Sequence, residues 1–171
     1  MKLRPYSARR DFEEIRNWIT DERTHAMWSA NLISFPIEQD EFERFLHERE
    51  DRTGESSYVV TAEDGQLIGF FCYTIDLAAN EGIFKCIMNN PDYRGKGYGR
   101  EMLELALKYA FEITNVNAAR LYVYTNNTRA RKCYESVGFV ETGFTYNALS
   151  YRDESWDVCN MIIRKEAYMQ K

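Results

Sequence analysis

The run "GIFKCIMNNPDYRGKGYGREMLELALKYAF" carries a strand pattern straight through a turn with glycine at 95, 97 and 99 and into a long amphipathic helix. No other stretch restricts the fold as much. Glycine at alternate positions strips side chains from a turn, so successive backbone N–H groups can converge on one cavity. A helix N-terminus adds its own unpaired N–H groups and a partial positive charge. With Arg94, Lys96 and Arg100 beside it, this strand, turn and helix describe an anion site of the kind that holds phosphate. The turn lacks the Lys-Ser/Thr pair of a Walker A loop, and its glycine spacing is not the GxGxxG of a dinucleotide fold. A glycine-rich turn without a ligand is the structural alternative.

The surrounding chain reads as mixed α and β. "KLRPY" is a first strand, and Phe12, Ile15, Trp18 and Ile19 in "RRDFEEIRNWI" mark one face of a helix. "SFPIEQDEFERFLHERE" repeats the pattern, starting near Ser34 or Pro36 and turning Phe42, Phe45 and Leu46 inward. "SSYVVTAEDGQLIGFFCYTID" reads as a hairpin with its turn at Asp64 and Gly65. After the glycine turn, Met102, Leu103, Ala106, Leu107 and Ala110 line one helix face. "ARLYVYT" is a strand, "NNTRARKCYESVGF" a helix closed by Gly138, and "SWDVCNMIIRKEAYM" a last strand. The order β-α-α-β-β-β-α-β-α-β-β predicts one α/β domain over residues 1–171.

Length and composition agree with a single domain. The 171 residues contain no repeat, and 44% apolar with 15% aromatic content excludes a disordered chain. A net charge of −5 argues against nucleic-acid binding and is compatible with a cationic partner. No signal peptide or membrane-length apolar run is seen, so a cytoplasmic protein without a membrane partner is expected. Cys72, Cys86, Cys133 and Cys159 form no CxxC and read as buried thiols rather than a metal site.

Two motifs carry a resemblance. "RGKGYG" matches the GNAT family's central signature through Arg94, Gly97 and Gly99. "NNTRARKCYESVGF" matches a second family segment through Asn127, Ala130, Tyr134, Gly138 and Phe139, in the family's order and separation. The chain therefore resembles the GNAT N-acetyltransferases over about residues 60 to 145, and in outline throughout. Its outline is similar to the subgroup named for ribosomal-protein alanine and spermidine acetyltransferases. The resemblance implies a central mixed, mostly antiparallel sheet of six to seven strands with helices on both faces. It also implies transfer of an acetyl group from acetyl-coenzyme A to an amine. Gly95, Lys96, Gly97, Tyr98, Gly99 and Arg100 would wrap the pyrophosphate, and the backbone of Ile87, Met88 and Asn89 would pair with the pantetheine arm. Asn127 would hold the far end of that arm or cap its helix.

The same resemblance makes Tyr134 the acid that protonates the departing thiolate, with backbone N–H groups after "CIM" stabilising the oxyanion. Many members have a glutamate in the strand before the loop, and that position is Phe84 here. Glu81, three residues earlier, is the nearest carboxylate and the candidate base, although a regular strand turns it to the other face. His25 is a site candidate and His47 a helix-surface residue. Trp28, Tyr73, Tyr146, Tyr151 and Trp156 are candidates for the acceptor pocket. Two functions stay open, an acetyltransferase acting on a small-molecule or protein amine and a coenzyme A-binding module without turnover. A homodimer is the assembly left open.

Overall fold

Phe12, Ile15, Trp18 and Ile19 lie three and four residues apart, and helix α1 (Ala8–Asn17), its C-terminal cap Trp18 and the residue after it bury all four to 5% exposure or less. In the computed structural model, which describes residues 1–170, α1 follows strand β1 (Lys2–Pro5). Two further helices come next, α2 (Glu22–Ser29) and α3 (Gln39–Thr53). Apolar periodicity does not mark α2 as a helix, because its mixed residues make only a weak apolar stripe. It is held by the Asp21 carboxylate, which accepts the Thr24 N–H at 2.8 Å as an N-cap, and by burial of Ala26.

The sheet contains β1, β2 (Ser56–Thr61), β3 (Leu67–Asp76), β4 (Glu81–Asn89), β5 (Ala118–Tyr124), β6 (Val140–Tyr151) and β7 (Glu154–Arg164). Their spatial order is β1-β2-β3-β4-β5-β7-β6, antiparallel except between β4 and β5. One face packs on α1 and α3 around Phe12, Phe42, Val59 and Phe70. The other packs on α4 (Tyr98–Lys108), with Val60, Phe71, Phe84, Met102, Leu107 and Phe139 in one cluster. The expected mixed sheet with helices on both faces is what the chain forms. α4 runs on as a π-helical turn over Tyr109–Ile113, and a short helix α6 (Lys165–Met169) places Tyr168 against Phe111.

The parallel pairing is short. It joins Glu81–Phe84 to Ala118–Leu121 and then stops. β4 continues along β3 as far as Asn89, while β5 follows β7 from Tyr122 to Tyr124, so the sheet splits between them. A bulge marks the split. Cys86 has φ of +49°, and the register with β3 shifts between Phe70 and Cys72. Phe84 and Ile87 pack towards α4, whereas Lys85 bonds Glu55 and Cys86 joins the opposite cluster, so two consecutive side chains turn to the α3 face. All four thiols are free, Cys72 and Cys159 buried and Cys86 and Cys133 half-buried. No helix of the described residues is long and apolar enough to cross a membrane.

Candidate functional site

The mouth of the split holds a cavity of about 450 Å³ lined by Ile87, Met88 and Asn89 of β4, by the glycine loop, and by the start of α4. Helix α5 (Thr128–Ser136) closes its other side with Ala130, Cys133 and Tyr134. Gly95 and Gly97 adopt φ of +74° and +88°, a left-handed backbone that side chains resist. The first N–H groups after the turn to find backbone acceptors belong to Arg100 and Glu101, both on the Gly97 carbonyl at 3.0 and 3.2 Å. Gly99 has another duty. A Cβ there would run into the side-chain amide of Asn89, so its glycine lets α4 start against the end of β4.

Charge at this cavity is unbalanced. Arg94 and Arg129 line it and neither has a carboxylate partner among the described residues. Desolvation, reinforced by the neighbouring Arg129, lowers the Arg94 pKa from its ordinary value. Asn89 Oδ1 is buried without a hydrogen-bond partner. An anion at the loop and an N–H donor beside Asn89 would answer these needs. The pyrophosphate and amide-containing arm of coenzyme A have that chemistry, so the residues fit the group.

α5 delivers Tyr134. Its N-terminus is capped by Asn127, whose side chain accepts the Ala130 N–H at 3.3 Å. Its C-terminus closes with the Gly138 N–H on Glu135 O and the Phe139 N–H on Tyr134 O, with the two rings in edge contact at 6.2 Å. Both ends are thus fixed, and the Tyr134 ring is 7% exposed. Its hydroxyl has no protein partner among the described residues, although the side chain borders the cavity. Burial raises the Tyr134 pKa well above that of a free phenol, so the group carries its proton at any working pH.

A second cavity of about 210 Å³ lies on the α3 side and shares Met27, Trp28, Ile87, Asn127 and Tyr134 with the first. Tyr134 therefore sits where the two meet. The Trp28 indole donates to the Cys86 carbonyl at 2.8 Å and ties α2 to the bulge. Arg49 and Lys85 line this cavity, both bound to the buried Glu55, Arg49 Nε at 2.5 Å and Nη2 at 3.0 Å, Lys85 Nζ at 2.7 Å.

Most of the residues expected from the sequence gather here. Ile87, Met88, Asn89, Arg94, Gly95, Gly97, Gly99, Arg100, Asn127, Ala130 and Tyr134 all border the larger cavity. Lys96 and Tyr98 turn aside, Lys96 donating to the Asp92 carbonyl and Tyr98 packing on Tyr93 at 5.1 Å. Glu81 is not brought to the site. It begins β4 at the closed end of the split, outside both cavities, and its carboxylate is ion-paired with Arg120. His25 is buried against Ser29 and Phe35, and its pKa falls through desolvation. His47 lies on the surface of α3.

Of the aromatic candidates, Trp28 lines both cavities. Tyr73 is core and bonds Thr114, Tyr151 and Trp156 pack on each other at 4.8 Å, and Tyr146 is exposed on β6. Sequence reasoning missed Arg129, Arg49 and Lys85. Arg129 could have been found two residues after the Asn127 cap and Lys85 beside Phe84, but Arg49 reaches the site only through the packing of α3.

The sequence model of the acetyltransferase (GNAT) family matches residues 12–139. A spermidine N(1)-acetyltransferase of Vibrio cholerae is 29% identical over 149 residues, covering 84% of this chain and 86% of that one. A mycothiol acetyltransferase of Streptomyces coelicolor is 25% identical over 77% of this chain and 45% of its own. The crystal structure of the Vibrio cholerae spermidine N-acetyltransferase in complex with CoA and spermine superposes with a TM-score of 0.82, at 28% identity over 98% of this chain and 97% of that one. The split sheet, the glycine loop at its mouth and the family match over residues 12–139 together establish that this chain belongs to the acetyltransferase (GNAT) family and is an N-acetyltransferase.

Proposed function

We propose that the larger cavity takes acetyl-coenzyme A and the smaller one the amine, with the thioester held at their junction beside Tyr134. The observation that carries this reading is the Tyr134 hydroxyl, unpartnered and open at the point where the two cavities meet while the rest of its side chain is buried. Free N–H groups of the glycine loop, with Arg94 and Arg129, bind the phosphates, and Asn89 Oδ1 accepts from the pantetheine arm. The neutral amine attacks the thioester carbonyl, backbone N–H groups at the open edge of β4 stabilise the oxyanion, and the carbon–sulfur bond breaks. The departing thiolate takes the Tyr134 proton, and water returns a proton to the tyrosinate. The amine's surplus proton passes to water, because no Asp or Glu lines the junction.

The test pairs binding with turnover. Acetyl-coenzyme A at a hundred times its Kd should stabilise the protein by about 2.7 kcal/mol. Coenzyme A thiol release should then depend on an added amine from a panel of polyamines, aminoglycosides, amino acids and peptide N-termini. Binding without release for every amine would leave a coenzyme A-binding module, and no thermal shift would remove the cavity assignment.

A further inference from the structure

The smaller cavity has an unusual charge for a protein whose relatives include spermidine acetyltransferases. Its charged lining residues are Arg49 and Lys85, and no Asp or Glu lines it. One carboxylate, Glu55, lies behind both cations, so the group carries a net charge of +1. Glu55 is fully engaged. Its Oε1 accepts from Arg49 Nε, its Oε2 from Arg49 Nη2 and Lys85 Nζ, and its side chain is 1% exposed. The cations are not sealed off. Arg49 and Lys85 keep 19% and 26% exposure, and Nη1 and the remaining Lys85 donors have no carboxylate partner among the described residues. The bulge at Cys86 makes this possible, since it turns Lys85 and Cys86 to the same face beside the cavity.

We propose that the amine accepted by this enzyme carries its own anionic group, a carboxylate or phosphate that Arg49 and Lys85 hold while the amine reaches towards Ile87, Asn127 and Tyr134. The inference rests on the acetyl-transfer reading above and names its acceptor class. A polyamine retains further ammonium groups after one amine is deprotonated, and these would face two cations with no carboxylate within the lining. An anionic group instead gains charge-assisted bonds from a guanidinium and an ammonium already fixed in position by Glu55. Size points the same way. At about 210 Å³ the cavity is smaller than the roughly 300–1,000 Å³ typical of drug-sized ligands, which suits a molecule of amino-acid dimensions.

The experiment titrates the CoA-saturated protein by calorimetry with free amino acids, the matching amino-acid amides, O-phosphoethanolamine and spermidine. Acetyl transfer to the same amines is followed in parallel. Amino acids should bind about tenfold or more tightly than their amides, the amides lacking the carboxylate, and spermidine should bind more weakly than either. Tighter binding of O-phosphoethanolamine would make the anion a phosphate. Lys85→Gln leaves Glu55 its paired contact with Arg49, so the variant should fold, and its acid-over-amide ratio should collapse towards one. If spermidine binds more tightly than every anionic amine, or if acid and amide bind alike in the parent, the inference is wrong. An unchanged acid-over-amide ratio in a folded Lys85→Gln would also overturn it. Absence of CoA binding at the outset would instead refute the acetyl-coenzyme A site.

Discussion

Tyr134 is held from three directions, by the Asn127 cap, by the Gly138 closure and by the Phe139 ring, and only its hydroxyl lacks a partner. Tyr134→Phe keeps this packing and removes the one proton the residue can donate. The turnover number should fall about 100-fold, with the Kd for acetyl-coenzyme A unchanged, as steady-state kinetics and calorimetry would show. Because burial raises the Tyr134 pKa, the phenol stays protonated through the working range and should add no ionisation of its own to the rate profile below pH 10. Glu81 answers the other half of the chemistry. Its carboxylate serves Arg120 outside both cavities, so Glu81→Gln should lower kcat/KM less than tenfold. The rate should rise with pH to a plateau set by the amine's own pKa, with the same profile in parent and variant from pH 5.5 to 9.5. A hundredfold loss in Glu81→Gln would return the base role to that residue. At this scale the sequence located Tyr134 through its motif, yet could not place Glu81, because a carboxylate's partner across a sheet is set by pairing with β5.

The glycine loop divides its work between conformation and space. Gly97 has φ of +88° with nothing near the position of a Cβ, whereas Gly99 has no positive φ but a Cβ there would meet the Asn89 amide. Gly97→Val should therefore strain the turn and abolish stabilisation by acetyl-coenzyme A while the free protein still folds. Gly99→Ala should cost about 0.5–1.5 kcal/mol of stability in denaturant titration, because the Asn89 side-chain amide must be pushed from its place. Equal stability of Gly99→Ala and parent would contradict the packing. The elements around this loop were legible because each carries a strong signal: the turn at Asp64 and Gly65 between the β-forming runs of β2 and β3, and spacing of three and four in α1 and α4. α2 was not, since its eight residues bury mainly Ala26, His25 and Ser29 and carry little apolar periodicity. Its N-cap signal, Asp21 followed by Thr24, was present but short. That the backbone of Ile87, Met88 and Asn89 would be left to pair with a ligand was implied by the family resemblance, but the bulge at Cys86 that aims Lys85 was not. A bulge leaves no mark in the pattern when the residues on either side of it suit a strand equally well.

Across the whole molecule the split must stay open without the sheet coming apart, and Glu55 is placed to do this. It sits just before β2, with its carboxylate joined to Arg49 of α3 and to Lys85 of β4, so one buried group links a helix and two strands on the α3 face. Burial alone would raise its pKa, but the hydrogen bonds from Arg49 and Lys85 outweigh that effect and hold it below the ordinary carboxylate value. The sign of the linkage follows. A carboxyl group whose folded pKa lies below its unfolded value of about 4.3 contributes stability that is fully present above that value and is lost as pH falls through the folded pKa. Glu55→Gln removes the charge and leaves two cations without it. The cost at pH 7 should be about 2–3 kcal/mol, under the roughly 3–5 for a fully buried pair because both cations keep some contact with water. The decisive comparison is urea unfolding of parent and Glu55→Gln from pH 7 to pH 3. The variant's deficit should be constant down to about pH 5 and then shrink as the parent's own carboxylate is protonated. High salt should change it little, because the linkage is screened from solvent, unlike the exposed Arg23–Glu154 pair. A deficit that stays the same at pH 3 and pH 7 would mean that Glu55 stabilises the fold by shape alone and that its charge does not hold the α3 face to the split.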